Sequence, residues 1–199
     1  MTTETTTPTM TVRDEGRGEG RDRGRDMTAG VTTGGTAHAT GTGVAAAVAG
    51  RSRLDFGETA PKAFRALIGF DAAARQGLEP ALVELIQIRA SHLNHCAYCL
   101  HLHTSDARTA GESEERLHMV AVWREARHFF TRREQAALAL TEAVTLVADG
   151  GVPDAVYDEA AARFDEQELA QVLALICAIN IWNRVALATG KVAGTDERR

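Results

Sequence analysis

Aromatic residues make up only 5% of this 199-residue chain, and none of them lies in residues 1–50. Cysteine is scarcer still. Three cysteines in a chain of this length exclude a disulfide-built scaffold. Positive charge is not in excess: 22 Lys and Arg stand against 27 Asp and Glu, for a net charge of -5. That balance argues against a dedicated nucleic-acid binder, which needs cations to meet phosphates. No apolar run is expected to approach the roughly 20 residues needed to cross a bilayer. The first residues are threonines rather than a basic stretch followed by an apolar one, so no secretory leader is expected. What remains, 44% hydrophobic and 25% charged, reads as a mildly acidic soluble protein of one domain, or one domain with a tail.

The texture changes near residue 50. Residues 1–50 hold 13 Thr and 10 Gly, and Arg13 to Asp26 carries five Arg against five acidic residues. Such a segment has too little apolar surface to offset the cost of ordering its backbone, roughly 1–2 kcal/mol per residue. A disordered tail over 1–50 and an all-helical domain over 51–199 are therefore expected. The interspersed acids and the lack of stacking aromatics count against RNA contact through the Arg-Gly pairs. Met27 is an alternative start, and Ala45 to Val48 a weak extension of a first helix.

From Leu54 onward apolar residues recur at three and four, with Gly and Pro between segments. Pro61 opens a helix to about Arg75, with Phe64, Leu67, Ile68 and Ala72 on its apolar face. Pro80 opens a second, ending near Leu93, with Leu82, Leu85, Ile86 and Ile88 inward. A third runs from His95 or Cys96 to Thr109, ahead of Gly111. Ser113 with Glu114 and Glu115 opens a fourth to about Ala126. Thr131 and Glu134 form a capping box for a fifth, ending near Asp149. Val152-Pro153-Asp154 opens a sixth. Asp165 to about Leu187 is the longest, and Val172 to Ile181 is apolar almost all round, as in a helix buried on several sides or between subunits. The fold class is all-α, six or seven helices, with no run that alternates like a strand. On this pattern Trp123, Trp182 and Phe164 read as core or subunit contacts and Cys177 as a buried small hydrophobe. Asn180, Asn183 and Arg184 stand out as polar residues on an apolar helix.

The chemistry concentrates in Asn94 to His103. Cys96 and Cys99, three apart, share a helix face. In a first helical turn they also meet unpaired N–H groups and the positive helix end, and both favour thiolate. A pair so placed can cycle between dithiol and disulfide. His103 lies four residues beyond Cys99, one turn along the same face, where it can take or relay a proton. Glu84 sits on the preceding helix. A short turn sends the two helices back antiparallel, so Glu84 can face His103, and a carboxylate on an apolar stripe needs such a partner. Other readings stay open at this level. A CxxC with His103 and one of His92, His95 or His101 also suits a structural zinc ion. Glu84 also suits an exposed surface position, Tyr98 suits either site lining or packing, and an oligomer whose cysteine pair only senses oxidation fits the same residues.

Glu84, Cys96, Cys99 and His103 at these spacings resemble the core motif of the alkylhydroperoxidase D-like branch of the carboxymuconolactone decarboxylase family. Leu85 to Ser91, Cys96 to Cys99 and His103 to Arg108 are similar to that branch. So are Trp123-Arg124-Glu125, Thr141 to Val144 and Ile181 to Arg184, so that the likeness spans roughly residues 53–190. The resemblance implies a helical protein assembling as trimers or hexamers. It implies a cytoplasmic thiol peroxidase with no haem, flavin or metal, its partners a hydroperoxide and a dithiol reductant of lipoyl or thioredoxin type. It assigns attack on the peroxide to Cys99, resolution to Cys96, and a proton relay to Glu84 and His103. Tyr98 stands where alkylhydroperoxidase D proper has a histidine. The cysteine pair argues against decarboxylation, since the decarboxylase members lack it.

Overall fold

The computed structural model describes residues 52–195; the segment read as a tail, with Met27 and Ala45 to Val48, lies outside them. Eight α-helices and no strand occur among the described residues: α1 (Phe56–Thr59), α2 (Pro61–Ala74), α3 (Pro80–Leu93), α4 (Ala97–Thr109), α5 (Glu114–Met119), α6 (Arg132–Thr145), α7 (Asp154–Ala161) and α8 (Glu166–Thr189). Proline at the first turn of α2 and α3 fixes φ where an N–H would have no partner. Thr131 with Glu134, and Asp165 with Glu168, close capping boxes on α6 and α8.

Three boundaries depart from the periodicity. The one-turn helix α1, capped by Asp55 on the Glu58 amide at 2.9 Å, was not legible in the pattern. The fourth helix does not reach Ala126. It ends at Met119 and tightens into a 3₁₀ turn over Val120–Val122. Leu117, Val120, Trp123 and Ala126 are all buried, and their spacing of three suits the tighter turn, which stacks i over i+3. Trp123 is pinned there by its indole N–H donating to Glu142 at 2.7 Å. The fifth helix likewise ends at Thr145, ahead of a 3₁₀ turn at Val147–Asp149.

Helix α3 is the centre of the fold, with α4, α6 and α8 packed around it. Leu82, Leu85, Ile86 and Ile88 are buried on it. Burying each such side chain contributes about 1.5–3 kcal/mol relative to exposure. Helix α8 supplies Val172, Leu175, Ile176 and Ile179 to the same interior. Against expectation, α8 is long and apolar enough to cross a membrane by length and composition. Half of its most apolar stretch is buried against the other helices, however, which marks the core helix of a globular domain. Also against expectation, Cys177 is exposed. With Val172, Ile176 and Ile179 turned inward, the 3.6-residue repeat carries position 177 to the opposite face, beside the exposed Ile181.

The inward face of α2 is also not as its apolar residues suggest. Ile68 is 48% exposed and Ala72 is exposed, whereas Ala74 is buried and Phe64, Leu67 and Asp71 are half-buried. Helix α2 does not seal onto the core along its length. It forms one wall of a cavity of about 530 Å³.

Candidate active site

The turn between α3 and α4 places the cysteines. Asn94 ends α3, and its side-chain amide donates to the Ala90 carbonyl at 3.0 Å, to Asn180 Oδ1 at 2.9 Å and to Asn183 Oδ1 at 2.8 Å. Asn183 in turn donates to Ser91 Oγ at 3.1 Å, and Asn180 to Thr145 Oγ1 at 2.9 Å. Asn180 and Asn183, two of the three polar residues that looked out of place on α8, thus tie its middle to the ends of α3 and α6. The next residue, His95, lies in the left-handed region at φ 56°, which is uncommon for a residue other than glycine. The chain reverses there, and the Cys96 amide donates back to the Ser91 carbonyl at 3.0 Å.

Cys96 emerges from this turn as the N-cap of α4, with Cys99 in the first turn. The Cys99 amide donates to Cys96 Sγ at 3.3 Å, so the sulfur takes the capping role usual for Ser, Thr or Asp. The two cysteines form a disulfide, Cα to Cα 5.4 Å. Both are almost wholly buried, at 1% and 3% exposure. Cys99 lines the cavity.

One turn along α4, His103 is 4% exposed. Its Nδ1–H donates to Glu84 Oε2 at 3.0 Å, because an ionised carboxylate only accepts. That contact fixes the tautomer and leaves Nε2 to exchange a proton. Glu84, 8% exposed, is therefore an interior residue and not a surface one. Its other oxygen accepts from Arg75 Nη1 at 3.4 Å, and Arg75 Nε donates to Asp71 at 2.7 Å. Asp106 brings its carboxylate within 4.8 Å of the ligand atoms of Glu84 and His103. Among the described residues this is the one group of three potential metal donors, and it contains neither cysteine.

The cavity wall is mostly apolar: Phe56, Phe64, Ile68, Leu102, Trp182 and Val185, with Tyr98 beside Cys99. The Phe64 and Trp182 rings meet edge to face at 5.6 Å. Tyr98 lies under Lys191, whose Nζ is 5.3 Å from the ring centre. Trp182 thus lines the site, while Trp123 and Phe164 are buried in the core. His92, His95 and His101 do not line the cavity. His95 and His101 are exposed, and burial, aided by Arg89, holds the half-buried His92 imidazole below its ordinary pKa.

Sequence reading missed Asp71, Arg75 and Asp106. Asp71 and Arg75 stand at i and i+4 and so announce an ion pair. Only the reversal at Gly77, in the left-handed conformation at φ 78°, aims that pair back at Glu84.

Fold and site together define an all-helical protein with a recessed CxxC beside a buried Glu–His pair. The model of the carboxymuconolactone decarboxylase family matches residues 59–143. Protein YdfG of Bacillus subtilis (strain 168), itself uncharacterized, is 35% identical over 144 residues, 72% of this chain and 97% of that one. The chain belongs to the carboxymuconolactone decarboxylase family. An Agrobacterium tumefaciens protein of unknown function, Atu0492, named as a candidate AhpD-type antioxidant defence protein, has the same fold. It gives a TM-score of 0.70 at 33% identity, covering 73% of this chain and all of that one. The debrominase Bmp8, solved as a cysteine-to-alanine variant in complex with 2,3,4-tribromopyrrole, shares the fold at TM-score 0.62 and 18% identity, covering 69% of this chain and 74% of that one.

Proposed function

We propose that the protein is a dithiol-dependent peroxidase that reduces organic hydroperoxides at Cys99. One observation carries this reading: Cys99 and His103 open on a single cavity, Cys96 lies within bonding reach of Cys99, and Glu84 holds the other face of the imidazole. In the reduced protein His103 takes the Cys99 proton, and the helix N-terminus and the Glu84 carboxylate favour the resulting thiolate–imidazolium pair. The thiolate attacks the terminal peroxide oxygen. An S–O bond forms, the O–O bond breaks, and the alkoxide leaves as alcohol with the proton from His103. Cys99 is then a sulfenic acid, oxidised by two electrons. The Cys96 thiol attacks its sulfur, water leaves, and the disulfide forms. Exchange with a dithiol returns both cysteines to thiols and oxidises the donor.

The cavity selects at both stages. Hydrogen peroxide fills little of 530 Å³, whereas a hydroperoxide with an apolar body displaces water from the Phe64–Trp182 wall. The recessed disulfide favours a slender lipoyl-type arm over a thioredoxin-like protein that presents its thiols on its own surface. A cytoplasm supplies such dithiols. The test is a consumption assay on cumene hydroperoxide and hydrogen peroxide with dihydrolipoamide or reduced thioredoxin as donor. Turnover of cumene hydroperoxide with dihydrolipoamide, at a kcat/KM at least about tenfold above that for hydrogen peroxide, is expected from burial of one aromatic ring. No turnover with any pairing sinks the peroxidase reading.

The exposed face of α8 carries Cys177, Ile181 and Leu187 around the charged Arg184, and we assign it to contacts between copies in a trimer or hexamer. Light scattering at micromolar concentration is expected to give a mass of at least three chains; a monomer contradicts the assignment.

A further inference from the structure

Glu84 poses an electrostatic problem that His103 does not solve. Glu84 is a carboxylate at 8% exposure, and Asp106 brings a second carboxylate close to His103. A buried carboxylate needs a partner at each oxygen, and His103 meets only Oε2. The remaining charged groups of the cluster come from α2 and the residue that ends it. Arg75 reaches Glu84 Oε1 at 3.4 Å and Asp71 holds Arg75 Nε at 2.7 Å. Both line the cavity that contains Cys99 and His103.

We propose that Arg75, oriented by Asp71, is a positioning residue for the thiol chemistry of Cys99: it holds Glu84 by Oε1, turned so that Oε2 faces His103. The inference rests on the peroxidase reading only for the identity of the oxidant. A bare guanidinium beside Glu84 would also oppose the imidazolium by its own charge. Asp71 answers that. Along the row Asp71, Arg75, Glu84 the signs alternate, so the row carries one net negative charge, with Glu84 at the end that meets His103. Arg75 is 35% exposed in its side chain and reachable from the cavity. It touches neither cysteine among the recorded contacts, so its effect on Cys99 passes through Glu84 and His103.

The experiment uses the full-length protein and reads two quantities. One is the rate at which iodoacetamide alkylates Cys99 in the reduced protein, resolved by peptide mass spectrometry across pH. The other is cumene hydroperoxide turnover with dihydrolipoamide. Arg75→Ala is expected to slow both near neutral pH by about tenfold, the lower end for a partner that orients a reacting group. The loss falls in kcat more than in KM, and the acid limb of the alkylation profile moves to higher pH. Low-millimolar guanidinium, far below denaturing concentration, restores both rates in Arg75→Ala, while sodium chloride at equal concentration does not. Arg75→Lys keeps most of the wild-type rate. Asp71→Asn gives a smaller loss of the same kind and carries the test if Arg75→Ala does not fold. Wild-type rates in Arg75→Ala, or losses that neither guanidinium nor Arg75→Lys repairs, overturn the proposal. If the wild type alkylates at Cys99 with this dependence on Arg75 and consumes no hydroperoxide, the positioning role stands and the peroxidase reading falls.

Discussion

Cys99→Ser stops hydroperoxide turnover, by at least about 10³-fold, as expected when the group that forms the covalent intermediate is removed. A serine hydroxyl at the same place keeps the first-turn geometry of α4 and a place in the buried cluster with Ala90, Ile179 and Ala186. What it lacks is an ionisable atom soft enough to attack peroxide oxygen. Melting temperature should therefore change little. Cys96→Ser behaves differently. Cys99 remains beside His103 in the cavity, so the first equivalent of peroxide still oxidises it, but no thiol stands within bonding reach to expel water. The product is a sulfenic acid that dimedone traps at Cys99, with one turnover and then arrest. Cys177→Ser serves as the control. That thiol is exposed on α8 and lines no part of the cavity, so turnover and the Cys96–Cys99 disulfide are expected unchanged. Peptide mass spectrometry after one equivalent of peroxide reads all three variants. A main disulfide that includes Cys177, or full turnover without Cys99, contradicts the assignment.

Much of this site was legible in the sequence because it is local. Cys96, Cys99 and His103 lie within one helix and two turns, and helical periodicity alone puts them on a common face. Glu84 followed from the same rule applied to a hairpin, because the turn at Asn94 to Cys96 is short enough to fix the register of α3 against α4. The helix starts were legible for a similar reason: Pro61, Pro80, Thr131 and Asp165 are chemical statements about four or five residues. The misses share a different cause. Ile68 and Ala72 have the spacing of a buried face, but how α2 meets the core is set where its Phe64 packs on Trp182, which comes from a distant part of the chain. Cys177 sits in a run so apolar that periodicity carries little contrast, so the packing of α2, α3 and α6 decides which side is left outside. Arg75 belongs to this second class. Its charge and its i, i+4 partner are visible, yet its aim at Glu84 is set by the reversal at Gly77. The polar side chains of α8 are the most instructive case. Asn180 and Asn183 look like defects in a core helix, and they bind Asn94, the residue before His95, which is the one non-glycine in the left-handed region among the described residues and begins the turn that places both cysteines.

The Glu84–His103 contact makes a second, separable demand. Glu84→Gln preserves shape and still accepts from His103 Nδ1–H through its amide oxygen, but it removes the negative charge that stabilises the imidazolium formed when Cys99 ionises. General acid–base assistance contributes about 10²–10⁴-fold, and Glu84→Gln should forfeit part of that range, because the N-terminus of α4 still favours the thiolate. His103→Ala should cost at least as much, since it removes the proton acceptor itself and leaves Glu84 buried with Arg75 as its remaining recorded partner. The decisive quantity is the double variant. If the two groups act as one relay, Glu84 has nothing to act on once His103 is gone, and the combined loss falls well short of the product of the single losses. If they act independently, the losses multiply. Stopped-flow oxidation of the reduced single and double variants across pH separates these outcomes, with circular dichroism confirming that each variant keeps its helices. Multiplying losses, or a Glu84→Gln rate that equals wild type at every pH, would reduce Glu84 to a packing residue with a convenient hydrogen bond. A sub-multiplicative loss that reappears when cumene hydroperoxide is replaced by iodoacetamide would locate the relay in the ionisation of Cys99, before any peroxide bond is broken.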